Sequence, residues 1–210
     1  MKIFKRLLII FLLLIIYITI SAISYVSAVS NNISNSIFRL HVIANSNSTE
    51  DQNLKLLVRD ELLKYMNSLT KDIHSKELAI KIAAEHTNDF YNIAKKTIED
   101  NGFSYDVTIN IDNCYFPTKQ YGDISIPAGY YDALKVEIGT ASGQNWWCVM
   151  FPPLCFVDMS TGIVPNDSKE NIKNNLPDEE YALISTKDNS SINLKFKLVE
   201  LIYNNNFFNF

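Results

Sequence analysis

The chain opens with MKIFKR, and from Leu7 to Val29 it carries no acidic or basic residue; the next such group is Arg39. A basic start followed by an apolar run of this length is the n-region and h-region of an export signal. The same run is long enough to span a bilayer as an uncleaved anchor. Basic residues ahead of the span hold the N-terminus inside, so everything after it faces out of the cytoplasm. Val26-Ser27-Ala28 has the small-residue spacing that a signal peptidase reads, which makes Ala28 the candidate cleavage position. Two outcomes follow, a freed domain or a tethered one. The chain divides into a signal peptide or anchor over 1–28, an extracytoplasmic domain over 29–203 and a short tail over 204–210.

The compartment decides how charge and cysteine are read. Removing Lys2, Lys5 and Arg6 takes the formal net charge from −4 to −7. An acidic domain without a basic block excludes nucleic acid as a partner, and it leaves the N-terminal segment as the contact with membrane. The expected partner is a protein or a neutral ligand. Three cysteines in an oxidising setting suggest one pair and one left over. Cys148 and Cys155 flank Pro152-Pro153, a bend that brings the ends of a short loop together, and closing such a loop is worth about 2.5 kcal/mol. Cys114 is then a buried apolar thiol.

Periodicity predicts the elements. "SIFRLHVIANS" alternates, with Phe38, Leu40, Val42 and Ala44 on one face and Arg39 and His41 on the other, as in a half-buried strand. Thr49-Glu50-Asp51-Gln52 has capping-box spacing and precedes a helix whose stripe includes Leu54, Leu57, Val58, Leu62 and Met66. One further helix is predicted over 75–100, burying Ala79, Ile82, His86, Phe90 and Ile93, with Gly102 as its terminator. "GFSYDVTINID" returns to period two, as does "YYDALKVEIG", and that strand and "NWWCVMF" are predicted to form an antiparallel hairpin. The polar stretch 158–189 reads as a surface connection with short helical pieces, and a last helix is expected near 192–203. Together these predict an α+β fold, an antiparallel sheet with helices packed on one face, behind the N-terminal signal or anchor segment.

The chemistry-bearing residues do not form a catalytic set. A thiol nucleophile needs a base within reach. His41, His74 and His86 supply the residue type for Cys148, but His86 falls on an apolar stripe, His74 near a helix start and His41 on a strand face. No C-x-x-C, H-E-x-x-H or glycine-rich phosphate loop occurs. No catalytic, metal-binding or cofactor-binding residue is assigned, and no cofactor is expected. Trp146 and Trp147 are adjacent on a strand and so point to opposite faces, one toward the core and the other either covered by the far edge of the helices or available to a partner.

Three blocks carry a resemblance. "FRLHVIANSNSTEDQNLKLLVRDELL", "FPTKQYGDISIPAGYYDALKVEIGTASGQNWWCVMFPPLCFVD" and "FKLVELI" resemble the stage II sporulation protein R family of endospore-forming bacteria, from about Ile37 to Ile202. The resemblance implies a signal without enzymatic activity, exported from the forespore into the space between the two membranes. There it would trigger a membrane-embedded aspartic protease of the mother cell (SpoIIGA-like), which then removes the pro-sequence of the mother-cell sigma factor, sigma-E. The face expected to meet that receptor is the surface around Trp146, Trp147, Phe151 and Leu154, with Arg39 and Arg59 as polar anchors. Two other readings stand beside it: a hydrolase using Cys148, and a tethered domain that binds envelope material.

Overall fold

The structure is a computed structural model, and it describes residues 2–71, 73, 75–154, 164 and 166–185. His74, Cys155, the helix expected near 192–203 and the tail lie outside the described residues.

The apolar run forms one long helix, α1 (Lys2–Ser36), whose stretch Ile3–Ser21 is long and apolar enough to cross a membrane and has none of its surface buried. Its last turns are different. Ser30 and Ile33 are buried, the Ser30 hydroxyl donates to the Ala128 carbonyl (3.3 Å), and the Asn32 amide donates to Glu180 (2.8 Å). Lys76 donates to the Ser34 carbonyl (2.9 Å) and pairs with Asp132 (2.7 Å), holding the helix end against the sheet. The change from exposed to packed falls at Ala28 and Val29.

After β1 (Phe38–Ile43) come α2 (Thr49–Leu69), α3 (Lys76–Glu85) and α4 (Thr87–Asp100). Next are β2 (Val107–Phe116), the small pair β3 (Lys119–Tyr121) and β4 (Ile124–Ile126), then β5 (Gly129–Ile138) and β6 (Asn145–Phe151). Two short helices, α5 (Asn166–Asn175) and α6 (Asp178–Ile184), follow. The α+β class is as expected, and the sheet is mixed. Its order is β2-β5-β1-β6, with β1 parallel to β5 and antiparallel to β6.

This order overturns the predicted β5–β6 hairpin, because β1 lies between the two strands. A tight turn bridges one strand spacing of about 4.8 Å. The connection 139–144 bridges two and closes over the end of β1, where Ser142 N–H donates to the Asn45 carbonyl (3.2 Å) and Gly143 N–H to the Ala44 carbonyl (2.9 Å). β1 is buried along its whole length, so both of its edges must be hydrogen-bonded, and the insertion satisfies that requirement.

Both sheet faces are covered, which corrects the expectation of helices on one side. Phe38, Leu40, Val42, Leu134, Val136, Cys148 and Met150 pack under α2, α3 and α4. On the other face Phe116, Tyr131, Ala133, Val149 and Trp147 pack with Ile33 of α1, Ile124 and Ile126 of β4, and Ile172, Leu176 and Ile184 of α5 and α6. The short helical pieces predicted beyond 158 are therefore partly core.

Three local expectations also change. The cap of α2 is Ser48, whose hydroxyl accepts from Asp51 N–H (3.1 Å), one residue ahead of the expected box. Leu57 is exposed while Lys55 is buried. The helix expected over 75–100 breaks at His86. That residue is half-exposed rather than striped into the core, and its Nδ1 lies 2.9 Å from the Tyr65 hydroxyl and 2.7 Å from Asp89. The terminator is as predicted: Gly102 N–H donates to the Glu99 carbonyl (2.9 Å) and Phe103 N–H to that of Ile98 (3.1 Å).

Candidate functional site

Where β6 begins, the start of α2 and the β3–β4 turn stand to either side of it and leave a groove of about 550 Å³. Gln52, Lys55 and Leu56 form one wall, Lys119–Gly122 the other, and Gln144–Cys148 the floor with Leu154. A volume of this size suits a ligand of a few residues' bulk. Every lining residue belongs to the first two of the sequence blocks singled out above.

The two tryptophans diverge as strand alternation requires. Trp146 turns toward the three-helix face, where the Arg59 guanidinium lies 4.2 Å above its ring. Trp147 turns to the opposite face, stacks on His41 at 3.9 Å and meets the edge of Phe116 at 4.7 Å. Each is half-buried, and both residues line the groove.

Arg39, expected as a surface anchor, is fully buried. Its guanidinium lies 4.1 Å from the Phe116 ring and 4.8 Å from that of Tyr131, and it donates to the Cys148 carbonyl (3.3 Å) and the Tyr121 hydroxyl (2.8 Å). Tyr121 in turn donates to the Trp147 carbonyl (3.0 Å). This chain of hydrogen bonds ties the β3–β4 wall to the floor. No carboxylate pairs with Arg39 among the described residues. The face that carries Arg39 is thus a second core, built partly on cation–π contact. Phe151 and Leu154 are buried as well: Phe151 joins the three-helix core and Leu154 the groove floor. Of the expected receptor residues, Trp146, Trp147 and Leu154 border the groove, while Arg59 backs it through Trp146.

Charge in the groove is one-sided. The Lys55 ammonium donates to Gln52 (2.6 Å) and to the Gln144 carbonyl (3.0 Å), both neutral acceptors. Burial, and then the neighbouring Arg59 charge, lower its pKa. His41 donates or accepts through Nε2 at 2.7 Å from the Asn145 amide oxygen, and because that oxygen only accepts, Nε2 carries the proton. Burial lowers the His41 pKa and favours the neutral ring.

The rim is held by a polar knot. Asn45 donates to Asp51 (2.8 Å) and accepts from Thr140 N–H (3.0 Å), while Ser46 donates to the same carboxylate. Burial pushes the Asp51 carboxyl up, but hydrogen bonds from Ser46, Asn45 and Tyr105 outweigh it and hold it below the usual range. At Gly143 the backbone passes so close to Ser46 that a Cβ would lie 2.6 Å from its carbonyl carbon and closer still to the oxygen. The "HVIANSNSTEDQ" and "GTASGQNWW" segments meet here.

Among the described residues no hydrolase geometry is formed around Cys148. β1 pairs Leu40 with Cys148 and His41 with Trp147, so the Cys148 side chain and the imidazole emerge on opposite faces of the sheet. His86 is engaged with Tyr65 and Asp89. No group of three or more His, Cys, Asp or Glu with metal-binding geometry occurs among the described residues. Cys114 is half-buried, with its pKa raised chiefly by burial. Lys55, Lys119, Tyr121 and Gln144 were not singled out by sequence reasoning, since no period or motif marks residues that meet only through the crossing of β1.

Fold and site together define an α+β domain set at the end of an apolar helix, with an aromatic, cation-lined groove. The chain belongs to the stage II sporulation protein R family, whose model matches residues 34–161. It is 43% identical over 124 residues to Stage II sporulation protein R of Bacillus subtilis (strain 168), a match that covers 59% of this chain and 55% of that protein. The match thus spans little more than half the length of the curated relative. No solved structure matches the chain. A role in sporulation follows from the family.

Proposed function

We propose that the chain is an exported sporulation signal. In this reading it is made in the forespore, passes into the space between the two membranes, and activates a membrane-embedded aspartic protease of the mother cell. The protease then removes the pro-sequence of sigma-E. Family membership supports the sporulation role, and an apolar helix leading into the domain supports export. The observation that carries the reading is the groove, on which the first two family blocks converge; among the described residues no metal cluster stands there. Activation requires only that this surface bind the active state of the receptor more tightly than its inactive state.

The division into leader, domain and tail belongs to the same proposal, with cleavage after Ala28. Cutting there would remove the exposed part of α1 and leave Ser30 and Ile33 in place. A Cys148–Cys155 disulfide and the Trp146–Trp147 surface as receptor contact are likewise proposed.

The test is reconstitution in a non-sporulating cell that expresses the protease and the sigma-factor precursor. Precursor should be shortened only when the chain is co-expressed, and Leu12→Arg, which spoils the apolar span, should abolish processing. Shortening without the chain, or undiminished processing by Leu12→Arg, would contradict the reading.

A further inference from the structure

We infer that the groove beside Trp146 and Trp147 receives an acidic peptide segment of the partner protein, one that presents carboxylates around an apolar side chain. The inference rests on the signalling role proposed above, and it adds the chemistry of the contact.

Charge carries the argument. The chain is acidic, with a formal net charge of −4. Yet among the described residues the groove lining contains Lys55 and Lys119 and no aspartate or glutamate. Of the acids nearest in sequence, Asp60 pairs with Arg59 and Asp123 with Lys169, Asp51 is held by hydrogen bonds from Asn45 and Ser46, and Glu50 is exposed and outside the lining. Lys119 is half-exposed and forms no ion pair or side-chain hydrogen bond among the described residues. Behind the wall, Arg39 adds a buried charge that no carboxylate offsets among the described residues, where its Nη1 also has no partner. Such a cluster inside an acidic surface focuses a positive potential at one place and steers an anionic segment to it.

The second observation concerns shape. Trp146, Trp147, Tyr121, Leu56 and Leu154 supply an apolar lining between the two lysines. A lone inorganic anion would leave that apolar surface wet. A peptide carboxylate flanked by an aromatic or aliphatic side chain engages both parts.

Both tryptophans of the chain line the groove, so intrinsic emission reports its occupancy. The experiment titrates the full chain, held in a lipid nanodisc, with capped Glu-Phe-Glu and with its neutral counterpart Gln-Phe-Gln. The acidic peptide should shift the emission and bind about ten-fold more tightly than the neutral one, and Lys119→Glu should weaken it by about ten-fold. Lys119→Gln should fall between, with the far-ultraviolet circular dichroism of both variants unchanged. Equal binding of the two peptides, insensitivity to Lys119→Glu, or displacement of the peptide by inorganic phosphate at equal concentration would overturn the inference.

The processing assay separates this failure from failure of the signalling role. If the parent chain supports processing and Lys119→Glu supports it equally, the groove assignment is wrong while the role stands. If the parent chain supports none, the role fails, and the inference about its contact falls with it.

Discussion

Replacing Gly143 by alanine tests whether the crossing of 139–144 over β1 is as tight as the structure requires. The added Cβ would lie 2.6 Å from the Ser46 carbonyl carbon and 3.0 Å from the Ala44 Cβ. Ordinary carbon–carbon contact is about 3.5–4.0 Å, so the two backbones must part by about 1 Å. Parting them stretches Gly143 N–H to Ala44 O (2.9 Å) and Ser142 N–H to Asn45 O (3.2 Å). Each such bond contributes about 1 kcal/mol, and overpacking at the contact adds a further 1 kcal/mol or more, for a total of about 3 kcal/mol. In a domain of this size that lowers Tm by about 6–12 °C.

Gly102 is the matched control. It has a positive φ of 82° but nothing within 4 Å of an added Cβ, so Gly102→Ala carries backbone strain alone, about 1 kcal/mol or 2–4 °C. Thermal unfolding followed by circular dichroism compares the two. Gly143→Ala should also shift tryptophan emission, because Gln144 and Lys55 bound the groove; Gly102→Ala should not. Equal Tm losses, or a Gly143→Ala chain as stable as the parent, would refute the close crossing.

Three further outcomes are expected. The folded His41 pKa lies below its ordinary value near 6.5, so the unfolded chain takes up the proton first as pH falls. Stability should therefore decline as pH drops below about 6.5. His41→Gln should remove that decline in urea titrations while leaving the acid limb below about pH 4, where carboxylates held low such as Asp132 protonate. Tyr121→Phe keeps the ring but removes the hydroxyl between Arg39 and the Trp147 carbonyl, leaving a charged donor without that acceptor. It should cost about 2–3 kcal/mol in denaturant unfolding, and a loss under 0.5 kcal/mol would refute the link. Alkylation before and after reduction, read by intact mass, should modify Cys148 and Cys155 only after reduction; immediate labelling of both would exclude the proposed disulfide.

Much of this chain was legible in sequence because its signals are local. The charge-free run before Arg39 and the alternation in β1, β2 and β5 come from periods that solvent and membrane impose on neighbouring residues. The α2 stripe and the Gly102 terminator arise in the same way. What local signals leave open is which strand lies beside which. "YYDALKVEIG" and "NWWCVMF" are adjacent in the chain, and a hairpin is the default between adjacent strands; nothing in their own residues announces that β1 lies between them. The pairing follows from a requirement of the whole sheet, that a strand buried on both faces be hydrogen-bonded along both edges.

The tertiary structure also decided the meaning of particular side chains. Arg39 alternates with apolar neighbours and so reads as solvent-facing, but α1, the β3–β4 pair, α5 and α6 cover that face and turn it into cation–π core. Lys55 lies on what reads as the polar side of α2, yet the end of β6 packs there and makes it a groove wall. His41 and Cys148 have the residue types of a catalytic pair, and strand register places them on opposite faces. Sequence alone marked the charge-free apolar N-terminal run, most of the elements and the family, since these depend on residue type and spacing along the chain. The groove and its charge were decided by the fold, because they depend on residues roughly 90 positions apart that meet only after β1 is threaded between β5 and β6.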